Sequence, residues 1–321
     1  MTLELDALLD PNQHRLLIEA ELQPVQGARF QPTGFPDLGA AVFDAPDGRR
    51  LLVESAQSMA NRLEAIAWDG AAQDLVRELQ GLSYVRVERD DGSYLTSSIT
   101  EAHRLNSPYI LEGKDKSFLE ALKEETKGME EGNIDRRQLA SIVFSYDANS
   151  LIHGLFLAKK ELAGGRLRIE RALSAFIEAI DAQVAASGGV KNDHVNPSGD
   201  TKKGFGNVPF QRDEYTARKI VAYFSLDLAE IRAFGLPPEA TQLLVALGLY
   251  KITGFLERPM RLRTACDLEL ASVPMIRRPE GYTLPSFASV QSAIPSLIEA
   301  CAPLFKGDRG VTRVKYQSAK G

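Results

Sequence analysis

Apolar residues recur along this chain at two spacings, every second position and every third or fourth, and the switches between them mark the expected elements. In HRLLIEAEL (14–22) the alternation sets Leu16, Ile18, Ala20 and Leu22 on one side and Leu17, Glu19 and Glu21 on the other, which predicts a strand. QPVQGARFQPTGFPDLGAAVF (23–43) is interrupted by Pro24, Gly27, Pro32, Gly34, Pro36 and Gly39. That is too often for regular structure, so a shaped loop ending in a strand is expected. RRLLVES (49–55) reads as a second strand running directly into a helix, AQSMANRLEAIAW (56–68). There Met59, Leu63 and Ile66, with Ala56, Ala60 and Ala67, form the apolar stripe and leave Gln57, Ser58, Asn61 and Arg62 on or near the exposed side.

Further along, a helix over 71–82 closing at Gly81 is expected, then two extended segments (84–99) around Asp90, Asp91 and Gly92, and a charged helix over 115–132. Residues 141–160 hold two apolar runs broken at Asp147 and Asn149, followed after a Gly-Gly turn by RLRIERALSAFIEAI. The spacing in 215–235 and 237–257 predicts two helices separated by Gly235, Pro237 and Pro238. MRLRTACDLEL (260–270) alternates as a strand, and 287–305 is a proline-interrupted helical stretch. Strands and helices are intermixed without a steady βαβ period or an internal repeat, which predicts an α+β fold with a mixed or antiparallel sheet.

One stretch fits neither spacing. GGVKNDHVNPSGDTKKGFGNVP (188–209) carries five glycines, two prolines and three lysines, and has little to bury. Loops beyond about 12–15 residues are usually functional or disordered, so this arm calls for a task.

Composition narrows the function classes. The chain has 321 residues, 44% of them apolar, which suits soluble globular proteins and allows either two domains or one elaborated domain. Its net charge of −5 argues against a surface coated in cations, but a local basic groove suffices to bind a phosphate backbone. Cys266 and Cys301 match neither a metal spacing nor a disulfide framework, and both are expected as buried thiols. The first residues lack a basic segment followed by an apolar run, and no window reaches the length of a membrane span, so the cytoplasm is the expected compartment.

Enzyme signatures are missing: there is no GxxxxGK[ST], no GxGxxG after a strand, no HExxH and no GxSxG. The four histidines, His14, His103, His153 and His194, stand far apart, and His153 sits in an apolar run that favours a structural role. Asp147, Asp181 and Asp193 show no paired-carboxylate or metal spacing. Marks of nucleic-acid binding are weaker one by one but agree. In RLRIER, Arg166 and Arg168 share a strand face opposite Leu167 and Ile169, and Arg171 follows; in MRLRTACD, Arg261 and Arg263 repeat the device. Guanidinium groups bind phosphate oxygens in pairs, so two such faces can line one groove. On these strands alone, charges that guard solvated sheet edges are the commoner explanation. In AQSMANRL, the side chains of Ser55, Gln57, Ser58 and Asn61 beside Arg62 suit contacts to a sugar-phosphate chain.

Taken together, LIEAELQPVQGARFQPTGFPDLGAAVF (17–43), LLVESAQSMANRLEA (51–65), YDANSLIHGLFLA (146–158), GGRLRIERALSAFIEA (164–179) and FGNVPFQRDEYTA (205–217) resemble the repeated backbone subunit of type I CRISPR interference complexes, in the subtype called I-U or I-G, within the RAMP superfamily. The resemblance implies a single elaborated RRM-like (ferredoxin-like) palm over 1–321, with helical additions at about 113–132 and 215–257 and a protruding thumb at about 188–212. It also implies copies aligned along one guide RNA, each thumb reaching over the guide beside a neighbouring copy and leaving bases free to pair with target DNA. Position by position, Ser55, Gln57 and Ser58 match the helix that holds the guide backbone, and Arg29 matches a basic contact. Related subunits place more cations on that helix, where this chain has Ala60 and Asn61 before Arg62.

The implied function is a non-enzymatic scaffold for CRISPR RNA in an antiviral effector complex. Its partners are the guide, target DNA, further copies of itself in a helical filament and other subunits of the complex, with no metal, no small cofactor and no membrane. Lys191, Lys202 and Lys203 in the arm would meet phosphate, and Phe205 would wedge between bases. The rival class is a metal-independent endoribonuclease processing precursor RNA, with His14 or His103 as general acid or base.

Overall fold

The computed structural model describes residues 3–35 and 37–317; Pro36, part of the punctuated loop, lies outside them. Its centre is an antiparallel sheet of eight strands. Seven follow the order Met260–Arg263, Cys266–Leu270, Arg15–Pro24, Lys219–Asp227, Leu173–Ile180, Gly48–Glu54 and Val42–Ala45, and Met275–Arg278 also pairs with Arg15–Pro24. A smaller sheet joins Val311–Lys315 in parallel to Tyr84–Glu88, which pairs with Tyr94–Ser97.

The first strand buries Leu16, Ile18, Ala20 and Leu22, the set its alternation marks. The helix after the second expected strand is Ala56–Ala65, capped by Ser55, whose Oγ accepts from the Ser58 amide at 3.3 Å. Helix Pro238–Leu256 starts with proline in its first turn and is buried on nearly every side, packed on the sheet and on helix Phe287–Cys301. Its Gly248 lies so near Leu226 that an added Cβ would stand 2.9 Å from that side chain. Asp147 breaks the 141–160 run as expected. It ends helix Arg136–Tyr146 and caps Ala148–His153, accepting from the Asn149 and Ser150 amides. Both cysteines are free and buried, and burial pushes their thiols up, Cys266 to about 11 and Cys301 to about 12.

Four expectations need correction. Residues 215–235 are not one helix: they form the end of strand Val208–Thr216, the central strand Lys219–Asp227 and a short helix, Leu228–Ala233. Ile220, Ala222, Phe224 and Leu226 are buried there on one face, with Val221 beside them, while Tyr223 and Ser225 on the other face are half-buried, the alternation of an antiparallel strand with one face on the core. Residues 71–82 hold a two-residue strand and a single 3₁₀ turn, Arg77–Leu79, with Gln73 at φ 53° turning the chain back. The charged helix is shorter than expected, Ser117–Glu125. The 260–270 segment folds into two strands hinged at Ala265, which has φ 57°. The arm, expected as a protruding thumb, folds as a hairpin. Gln183–Lys191 and Val208–Thr216 pair over nine residues each as a hairpin inserted between neighbouring strands of the main sheet, and residues 192–207 form its tip. Among the described residues, no helix is long and apolar enough to cross a membrane.

Candidate nucleic-acid interface

Most of the expected contact residues gather where the arm leaves the body. The 25–33 loop is pinned at three points: Phe30 exchanges backbone hydrogen bonds of 2.9 Å with Tyr215 at the base of the arm, the Gln31 amide donates to the Ala265 carbonyl, and the Thr33 amide donates to the Val53 carbonyl. Phe30 is fully buried, so Arg29 beside it is held outward at the foot of the hairpin. The 56–65 helix starts next to this loop. On it Gln57 and Asn61, one turn apart, are exposed, while Ser58 and Arg62 turn inward.

The inward pair meets a residue that the sequence reading does not single out. Glu54 is completely buried and takes hydrogen bonds from Ser58 Oγ, Arg62 Nε and Arg263 Nη2. Arg62 also donates to the Leu262 carbonyl at 2.5 Å and Arg263 to the Gln31 carbonyl at 3.0 Å. Two guanidiniums thus share one carboxylate, leaving a single net positive charge under the helix, and burial holds both arginines below their ordinary range. The cluster clamps the helix, the loop and the edge hairpin together before any ligand arrives.

The two arginine-bearing strands do not line one groove. Met260–Arg263 is at the edge of the main sheet, whereas Leu167–Ile169 pairs only with Leu155–Leu157 in a separate small hairpin. Arg166 donates to the carbonyls of Met129, Glu130, Gly132 and Ala163, closing a loop. Arg261 is exposed and faces Asp267 at 3.9 Å. Arg168 lies over the Phe156 ring, 4.9 Å from its centroid. Arg171 reaches back to the helix start, donating to the Ala56 carbonyl at 3.1 Å and the His153 carbonyl at 3.3 Å.

The arm tip is internally organised. Asp193 accepts backbone hydrogen bonds from Val195, Asn196 and Gly206 at 2.8–2.9 Å, which hold its carboxyl below the usual range, and Asp200 caps the turn that carries Lys202 and Lys203. Lys191, Lys202 and Lys203 are exposed and make no ion pair among the described residues, and Phe205 is 52% exposed beside them. Turn formers at 193, 196, 199 and 200 carry this signal in the sequence. The strands on either side are harder to read, because their glycines weaken the alternation. Of the rival catalytic candidates, His14 sits just before the first strand, and His103 lines a cavity near Arg171. No cluster of three metal-ligating side chains occurs among the described residues.

The family model of CRISPR-associated protein GSU0053 matches residues 16–184, more than half of the chain, and the chain belongs to that family. Among solved structures, a chain described as "CRISPR RNA-guided surveillance complex, pre-nicking" is similar over 90% of this chain and 86% of that one, at 15% identity and a TM-score of 0.42. No curated protein matches the sequence.

Proposed function

We propose that this chain is the repeated guide-holding subunit of a type I CRISPR surveillance complex of the I-U/I-G kind, an RNA-binding scaffold of the RAMP superfamily that works in the cytoplasm without a catalytic step of its own. Copies polymerise along the CRISPR RNA with the other subunits of the complex and present the spacer to target DNA. The observation that carries this reading is the hairpin inserted between strands Leu173–Ile180 and Lys219–Asp227, with Lys191 at the end of its first leg, Lys202, Lys203 and an exposed phenylalanine at its tip, none of the lysines ion-paired among the described residues, and Arg29 at its foot. Family membership supports it. So does strand order: Cys266–Leu270, Arg15–Pro24, Lys219–Asp227 and Leu173–Ile180 stand in the 4-1-3-2 order of a ferredoxin-like, RRM-like palm, with the arm in the hairpin between the second and third of its strands.

Such a scaffold grips phosphate and leaves base edges uncovered, because a spacer varies in sequence. Replacing the 192–207 tip by a short turn should leave a folded monomer that no longer forms a regular array on guide RNA. The expected readout is loss of the uniform nuclease-protected RNA length; a fully protected guide in complexes of that variant would defeat the proposal. The endoribonuclease reading draws on His103, which lines a cavity with Arg104, Arg168 and Arg171. Incubation with precursor RNA separates the two, since discrete cleavage abolished in His103→Ala supports the enzyme and protection without cleavage supports the scaffold.

A further inference from the structure

We propose that a cavity of about 580 Å³ beside the guide-holding helix receives a single nucleotide turned out of the bound strand, its phosphate held by Arg168 and Arg171 and its base laid against the Phe156–Arg168 pair. The inference rests on the guide-holding reading and assigns it a second contact region. The cavity lies between residues 102–106, the end of helix Ala148–His153 and the small hairpin of Leu155–Leu157 with Leu167–Ile169. Its size falls within the range of about 300–1,000 Å³ common for small-ligand sites.

Charge comes first. Among the described residues no carboxylate lines the cavity, while Arg104, Arg168 and Arg171 do. Arg104 is neutralised by a two-pronged pair with Glu64, at 2.7 and 2.9 Å. Arg171 donates only to backbone carbonyls, and Arg168 has no hydrogen-bond partner among the described residues. Neither Arg168 nor Arg171 is ion-paired among the described residues, so both guanidiniums can offer donors to phosphate oxygens, where charge-assisted hydrogen bonds are strong.

The apolar part is equally specific. Leu155 and Leu157 are buried and the alternation of their strand drives Phe156 outward, 45% exposed, under the Arg168 guanidinium. An aromatic face joined to a guanidinium plane is a stacking platform for any base. Polar groups remain for the ribose or the base edge. Asn106 uses only its carbonyl oxygen, accepting from the Ala158 amide at 2.9 Å, so its NH₂ is free. His153, which also lines the cavity, is 1% exposed with neither ring nitrogen partnered. Burial and the nearby Lys251, Arg104 and Arg171 charges keep its ring neutral, with one donor and one acceptor.

The neighbouring cavity explains why one nucleotide, rather than a continuous strand, is the occupant. It measures about 530 Å³, adjoins the first at Ala102, and is lined by Glu64, Glu101 and Trp68 without any lysine or arginine. Past Ala102 a polyanion would meet Glu101, whose carboxylate has no cation partner among the described residues, so the strand has to enter and leave by the same mouth. That mouth is near the guide-holding helix, because Arg171 is bonded to its first residue, Ala56.

The test uses the full chain and a labelled single-stranded RNA, with binding measured by fluorescence anisotropy across a salt series. Phe156 and Arg168 are both exposed, so Phe156→Ala and Arg168→Ala should fold, which circular dichroism checks. Each should weaken binding about tenfold. Arg168→Ala should also flatten the salt dependence by about 0.7 in slope, while Phe156→Ala leaves the slope unchanged. RNA substituted with 4-thiouridine should cross-link to peptides containing 153–158 or 166–171. Wild-type binding that both variants match, with no such cross-link, overturns the cavity assignment and leaves the guide-holding reading standing. A wild-type chain that fails to bind RNA overturns both. Binding at this cavity displaced by an acidic peptide but not by uridine monophosphate overturns the inference in favour of a protein partner.

Discussion

At Glu54 one carboxylate decides how several expected RNA contacts behave. Ser58, Arg62 and Arg263 are legible in the sequence as a polar helix face and an arginine strand, and the fold does bring them together. What the sequence hides is the acid between them, because Glu54 ends an apolar strand whose inward face is recognisable only once the helix and the edge hairpin are packed on it. Removing it strands two half-buried guanidiniums. Glu54→Leu should destabilise the protein by about 3–5 kcal/mol in urea unfolding, since breaking a buried pair leaves charge uncompensated. Gln57→Ala and Asn61→Ala, on the exposed side of the same helix, should shift stability by no more than about 0.5 kcal/mol. A second residue sets a pH dependence. His153 is held neutral when folded, by burial first and then by Lys251, Arg104 and Arg171, with Asp147 and Glu64 the acids of the same buried cluster. The unfolded ring takes up a proton below about 6.5 while the folded ring does not, so His153 makes stability fall as pH drops below that value. Asp147 acts in the opposite sense: burial pushes its carboxyl up to about 6, and acidification below that relieves it. Melting temperatures of wild type and His153→Gln between pH 7.5 and 5.5 should therefore converge as pH falls.

At the level of elements, the helix Ala56–Ala65 and the strand Arg15–Pro24 are readable because each shows one period over its whole length. The segment 219–233 is not. Ile220, Phe224, Leu228 and Ile231 keep helical spacing, while Ile220, Ala222, Phe224 and Leu226 keep the spacing of a strand. The conflict is settled by partners far along the chain, since this strand pairs with Arg15–Pro24 on one edge and Leu173–Ile180 on the other. Ile, Val, Tyr and Phe in close succession are the local hint, as β-branched and aromatic residues fit a pleated surface. The arm poses the reverse problem: glycine weakens its strands, and their order comes from backbone pairing and from turn chemistry at the tip. Asp193→Ala removes the acceptor of three backbone amides there. Amide exchange at Val195, Asn196 and Gly206 should accelerate by at least about tenfold, with the melting temperature of the body unchanged.

Over the whole molecule, the net charge is −5. On the proposed reading, affinity for a polyanion comes from cations without ion-pair partners among the described residues, Arg29 and the three lysines of the arm among them, so it should fall steeply with salt. Exchanging Lys191, Lys202 and Lys203 for glutamine should flatten the dependence of log K on log salt by about 0.7 for each phosphate no longer neutralised. An unaltered slope would remove the arm from the RNA-binding surface.

The nine-residue strands of the arm, at about 3.3 Å per residue, carry its tip roughly 30 Å from the sheet. Because both legs spring from adjacent strands, their length can change without disturbing the packing of the core. Two residues added to each leg would advance the tip by about 6.6 Å with every side chain still on its own face, whereas one residue added to each would turn the lysines and Phe205 to the opposite side. Under the proposed guide-holding role the appendage is thus a ruler graduated in pairs, and its graduation sets how far apart successive grips on a strand can fall.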